Sequence, residues 1–287
     1  MTIGAMVGSG SSTRQMGGVR SLVPAMPALV FLFVVFVAPL AILFLRSVTD
    51  PEPGVGNYAA LVTDITYLTV LRNTIVVSIV VTVTALLLSY PVAWFLVICP
   101  PGWMRLVFAI ILLSMWTNLL ARTYAWLVLL QNTGAINHFL MWIGVIDEPV
   151  ALVNNMFGVV VGMTYIMLPF MILPLHATIS AIDPALMQAA AITGARPWRI
   201  LRSVLLPLSL PGISAGCIMV FVMSLGYYIT PALLGGPSDM MIAVLIAQQV
   251  QQMLNWGLGS AAAFILLAIT LVIYFLYIRF IGLKRPI

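Results

Sequence analysis

Six apolar stretches, each about as long as the roughly 20 residues needed to cross a bilayer core, constrain this chain more than any other feature. They run over Leu22–Leu45, Asn73–Ile98, Leu106–Leu130, Val153–Ile179, Leu208–Ile229 and Gly257–Ile281. Their length and continuity predict helices. A membrane barrel would show alternating strands of about ten residues instead. Composition agrees: 63% of residues are hydrophobic and 7% charged, against roughly 45–50% and about 25% in soluble domains. Such a chain cannot solvate its own surface, and the expected fold class is an all-α integral membrane protein with six transmembrane helices.

Basic residues set the expected orientation through the positive-inside rule. With both termini in the cytoplasm, Arg14, Arg20, Arg105, Arg196, Arg199, Arg202, Arg279, Lys284 and Arg285 fall inside. Only Arg46 and Arg72 fall outside, and Arg122 lies within a span. The net charge of +5 therefore reflects topology. No Lys/Arg run with interleaved aromatics points to nucleic acid. Residues 1–21, rich in Gly and Ser, are expected to form a disordered cytoplasmic tail, and residues 22–287 one transmembrane domain. The apolar run from Leu22 is too long for a cleaved signal peptide. Cys99 and Cys217 lie away from the oxidising side, so no disulfide is expected.

Between the fourth and fifth stretches the sequence turns polar and Pro-punctuated: SAIDPALMQAAAITGARPWRILRSVLLPLSLP, residues 180 to 211. Asp183-Pro184 reads as a helix start, an Asp cap followed by Pro at the first helical position. The residues after it are good helix formers. Gly194 stands where a left-handed helix end belongs. Pro197 opens a second helix, which Pro207 and Pro211 bend into the fifth span.

Within the spans, Asn118, Arg122 and Trp126 follow i, i+4 spacing and are expected on one face of the third helix. Tyr165 reaches a similar depth on the fourth. An Arg in the bilayer interior is costly unless it faces protein or water, which makes Arg122 a functional candidate. The alternative is that it ties helices together through carbonyls freed near Pro169 or the fifth-span prolines. Tyr227 and Tyr228 could gate a path or sit as interfacial aromatics. His138 and His176 fall on opposite sides of the membrane and cannot share a metal. No phosphate-binding GxxxxGK[ST] loop occurs, so any ATP chemistry belongs to another chain.

The pattern Gln188-Ala189-Ala190, then Gly194, then Leu206-Pro207 resembles the cytoplasmic "EAA" loop of bacterial ABC-importer permeases. The segments MWTNLLARTYAWLVLL, QNTGAINHFLMWIGV, YIMLPFMILPLHATISAID and ITPALLGGP resemble the permeases of putrescine/spermidine importers; together they cover about residues 113 to 240. The resemblance implies a coupling helix between spans four and five, carried by Asp183, Pro184, Met187, Gln188, Ala189, Ala190, Gly194 and Arg196. It implies a translocation path at Asn118, Arg122, Trp126, Tyr165, Tyr227 and Tyr228, and no cofactor. It also implies a second, different permease, two ATP-binding subunits and a periplasmic binding protein, in a bacterial inner membrane. The sequence departs from the motif at Gln188, which cannot form the ion pair an acid would. No Asp or Glu lies in any span, so a zwitterionic amine or an amino acid fits the residues about as well as a polyamine. An ATP-independent secondary transporter or channel is the rival reading; it would call for intramembrane acids or an internal repeat, and neither is seen.

Overall fold

The computed structural model describes residues 26–194 and 196–280. The expected N-terminal tail and the first residues of the first stretch lie outside them. Every regular element among the described residues is helical. Two compact units are distinguished, one ending at Arg46 and one beginning at Ser47.

Helix α1 (Met26–Thr49) crosses that boundary. In the first unit Phe31, Phe33, Phe36 and Leu40 are all exposed. A helix apolar on all sides and exposed on all sides is suited to lipid.

The second unit is built on three long helices: α3 (Ile65–Ile98), α7 (Met156–Ser180) and α11 (Leu210–Leu225). Each packs against the other two. Asp64 starts α3 by accepting the Thr66 amide at 2.7 Å, and Asn155 starts α7 by accepting the Gly158 amide at 3.0 Å. The core runs along α7 through Met163, Met167, Met171, Leu175 and Ile179, against Val77, Val81, Ala85 and Ala93 of α3 and Val220 of α11. In lipid there is little hydrophobic force between helices, so close backbone approach at small residues matters more. Gly212 supplies it: an added Cβ would lie 2.5 Å from the Thr178 hydroxyl and 2.9 Å from the Pro174 carbonyl.

A smaller cluster joins the short helix α2 (Gly56–Thr63) to α3, α13 (Ile242–Gln251) and α14 (Trp256–Phe280) through Leu61, Val70, Ile242, Leu245, Leu258 and Ala261. The Ile242 amide donates to Thr74 Oγ1 at 2.8 Å, and that hydroxyl donates to the Val70 carbonyl at 2.7 Å.

Four helices, α1, α3, α7 and α14, are long and apolar enough to cross a membrane. The count reaches six only if two bent pairs are each taken as one span. The third expected span is one of these. Leu106–Leu130 is not a continuous helix: α4 (Pro101–Trp116) ends, and the chain turns by 100° into α5 (Leu119–Leu130) and α6 (Ala135–Trp142). Thr117 and Asn118 are both extended there. Both residue types compete for backbone hydrogen bonds and favour helix ends. The fifth span is the other, bent by 66° between residues 208 and 210.

Candidate functional site

Two parts of the molecule carry the sequence-derived candidates. The first is the junction of α5, α7 and α12 (Ile229–Leu234). Asn118 is the cap of α5 rather than part of a stripe along one span. Its Oδ1 accepts the Leu120 amide at 2.8 Å and the Ala121 amide at 3.4 Å, and the residue is exposed. The third span is therefore not one continuous helix, and the expected i, i+4 series of Asn118, Arg122 and Trp126 begins at this cap. Helical spacing survives from the cap onward, since the Arg122 amide donates to the Asn118 carbonyl at 3.1 Å.

Trp126 meets Tyr165 of α7 edge to face, with ring centroids 5.6 Å apart. Helix α12 packs on both α5 and α7. It comes close to α7 because residue 162 is Gly: a Cβ there would lie 2.6 Å from Leu234 Cδ1 and 2.7 Å from Thr230 Cγ2. Tyr227, half-buried between α11 and α12, lies within electrostatic reach of Arg122. Thr230 sits beside the Tyr227 hydroxyl, though the pair does not meet hydrogen-bond geometry. Tyr228 is 42% exposed.

Arg122 Nε, Ser224 Oγ, Tyr227 Oη and Thr230 Oγ1 are buried with no hydrogen-bond partner among the described residues. Each such atom costs about 1–3 kcal/mol if nothing else meets it. Among the described residues Arg122 Nε bonds neither the carbonyls near Pro169 nor those near the fifth-span prolines. Chemically the junction offers a guanidinium, three hydroxyls that can donate or accept, and the two aromatic faces of Trp126 and Tyr165. A cavity of 430 Å³ lies further along α5, lined by Leu127, Gln131, Asn132, Thr133, Val153 and Asn154. Sequence reasoning missed Thr230, Ser224 and Gly162, whose contribution comes only from the α5–α7–α12 packing.

The second part is the polar arm. Helix α8 spans Pro184–Ile192, and Asp183 Oδ1 accepts the Ala185 amide at 2.9 Å. At its end the Thr193 amide donates to the Ala189 carbonyl, and the Gly194 amide to the Ala191 carbonyl. Gly194 has φ +79°, in the left-handed region, with open space where a Cβ would stand. Arg196 is exposed and extended, and its carbonyl accepts the Arg199 amide at 2.8 Å to open α9 (Pro197–Ile200). A π-helical turn, Leu201–Leu205, and α10 (Leu206–Leu208) follow. Met187 faces the core, whereas Gln188 and Ala189 are exposed and Ala190 half-buried. Leu186, Ile192 (87% exposed) and Trp198 (71%) leave apolar surface on this otherwise polar arm.

Comparison with known proteins places this geometry. The family described as binding-protein-dependent transport system inner membrane component matches residues 2–281. The spermidine/putrescine transport system permease protein PotB of Escherichia coli is 33% identical over 231 residues, 79% of this chain and 84% of that one. The PotB of Salmonella typhimurium is 34% identical over 79% of this chain and 80% of its own. The E. coli inner membrane ABC transporter permease protein YdcU is 35% identical over 254 residues, 83% of this chain and 79% of that one. In fold, the chain resembles one from a bacterial alginate ABC transporter with TM-score 0.73 and 20% identity, covering 92% of this chain and 95% of that chain. The unbroken match across the membrane helices, the junction and the arm makes this chain a member of the binding-protein-dependent transport permeases, the membrane-spanning subunit of an ABC importer.

Proposed function

We propose that this permease carries a polyamine, or a related small amine, through a path bordered by the α5–α7–α12 junction. The observation that carries the reading is the concentration there of buried, unpartnered polar atoms beside the Trp126–Tyr165 pair. Aromatic faces attract an ammonium by roughly 0.5–2 kcal/mol each. The Tyr227 and Thr230 hydroxyl oxygens can accept hydrogen bonds from its N–H groups. Arg122 repels it. A path must bind weakly enough to release its cargo, and a fixed cation among acceptors supplies that weakness. The spermidine/putrescine permeases among the relatives support the choice of substrate class.

Both termini lie in the cytoplasm in this reading, and α8 is the coupling helix. Its exposed Gln188-Ala189 surface and the apolar Leu186 and Ile192 suit a groove on an ATP-binding subunit. ATP hydrolysis resides there, and a different second permease and a periplasmic binding protein complete the importer.

Thermal unfolding of the cognate binding protein, with and without ligand, tests the substrate class. Putrescine or spermidine at saturation is expected to raise its melting temperature by several degrees, because ligand stabilises only the folded form. A rise with amino acids alone would overturn the amine assignment.

A further inference from the structure

We infer that a groove between α3 and α11 is a binding site for an anionic phospholipid of the inner leaflet. The groove is made of two cavities. One, of 430 Å³, is lined by Leu86, Tyr90 and Pro91 of α3 and by Trp198, Arg202 and Ile213 among the facing residues. The other, of 320 Å³, is lined by Ile79, Thr82 and Val83 of α3 and by Cys217 and Phe221 of α11, with Tyr277 of α14. They share one stripe of α3, since Ile79, Val83, Leu86 and Tyr90 recur at three- and four-residue spacing. From Ile79 to Tyr90 the helix rises about 16 Å, close to one leaflet of a roughly 30 Å hydrocarbon core.

The two ends differ in chemistry. The Ile79–Phe221 end is apolar. The other end holds Arg202 and Trp198, both exposed, with the Tyr90 hydroxyl inside. Ser209 donates to the Leu206 carbonyl at 3.0 Å, which leaves its oxygen to accept from Tyr90 at 3.2 Å. That bond fixes α3 to the arm and holds the cavity mouth. The π-helical turn carries Arg202 beside it: the Leu206 amide donates five residues back, to the Leu201 carbonyl. Such turns recur at functional positions.

Charge selects the occupant. Arg196, Arg199 and Arg202 lie within seven residues, and the nearest acid in sequence, Asp183, is engaged in capping α8. Among the described residues no carboxylate pairs with Arg202. A guanidinium above an apolar groove, with Trp at headgroup level, matches a phosphate above an acyl chain. A zwitterionic lipid also carries a phosphate, but its cationic headgroup offsets the attraction to Arg202, and a free phosphate would leave the groove empty. The inner-leaflet placement rests on the orientation proposed above; the lipid count below does not depend on transport.

The test uses the assembled importer, equilibrated with vesicles of equal phosphatidylglycerol and phosphatidylcholine, extracted mildly, and counted for retained lipid by native mass spectrometry. Phosphatidylglycerol is expected to be retained over phosphatidylcholine by about fivefold, the ratio one basic side chain provides at a lipid surface. Arg202→Glu should bring the ratio to near one, and Arg199→Glu should leave it unchanged. Val83→Trp, which fills the groove, should lower retention of both lipids, and excess inorganic phosphate should displace neither. Three results would overturn the inference: no preference in the wild type, equal effects of the two Arg variants, or a groove that retains no lipid because a partner subunit covers it.

Discussion

Replacing Arg122 with alanine is expected to lower import by at least about tenfold while the importer still assembles. Without the Arg122 charge the acceptors and aromatic faces hold the amine more tightly and release slows, and each 1.4 kcal/mol of tighter binding is a factor of about ten. The structure separates this loss from a loss of stability. Arg122 Nε has no partner among the described residues, so alanine breaks no bond there. It removes a buried charge that costs energy to hold. The melting temperature of the complex is therefore expected to stay constant or rise slightly. Arg122→Lys keeps the charge but loses the planar five-donor fork. It should alter import rate or substrate preference with stability nearly unchanged. A Lys variant that melts several degrees lower would mean the guanidinium ties helices together.

Changing Gly194 to valine should uncouple ATP hydrolysis from the substrate. At φ +79° a β-branched residue is strongly disfavoured. A Cβ would meet nothing within 4 Å, so the penalty is conformational, about 1–3 kcal/mol. It falls on the link between α8 and the helix that leads into α11. Gly194→Asn is the control, because Asn tolerates the left-handed region. Stimulation of ATPase activity by the loaded binding protein is expected to be lost in the Val variant and retained in the Asn variant. Normal stimulation in the Val variant would remove the turn from the coupling account.

Much of the helical plan was legible in the sequence because bilayer thickness imposes a minimum run of apolar residues. The fourth and sixth stretches end within a few residues of α7 and α14. The second began too late. Arg72 and Asn73 looked like a span end, yet α3 starts at Ile65, where Asp64 caps it. Helices α2, α6, α12 and α13 are shorter than a span, so hydropathy alone did not register them. The bend at Thr117–Asn118 was hidden for a different reason. Hydropathy counts apolar residues and carries no direction, so a 100° turn between two apolar helices leaves the count intact. The only local signal was the Thr-Asn pair itself.

The candidate site was legible in part. Depth along two spans put Tyr165 at a level similar to the Asn118–Arg122–Trp126 stripe, and in the structure the Tyr165 ring meets Trp126. Arg122 stood out because charge in a span is expensive. Its neighbours Tyr227 and Thr230 lie in the short link after α11 and in α12 itself, and the packing of α12 on α5 brings them near. No periodicity reports that. In the arm the local signals sufficed for geometry: an Asp-Pro start and a Gly end are short-range features whose cost is set by the backbone alone.

Uptake into proteoliposomes tests the central claim most directly. The importer, reconstituted with its partner permease and ATP-binding subunits, is given labelled spermidine and the loaded binding protein outside and ATP inside. The account predicts that spermidine accumulates above its external concentration only when the binding protein and hydrolysable ATP are both present. Spermidine that equilibrates without ATP, or accumulates on an imposed ion gradient alone, would contradict it.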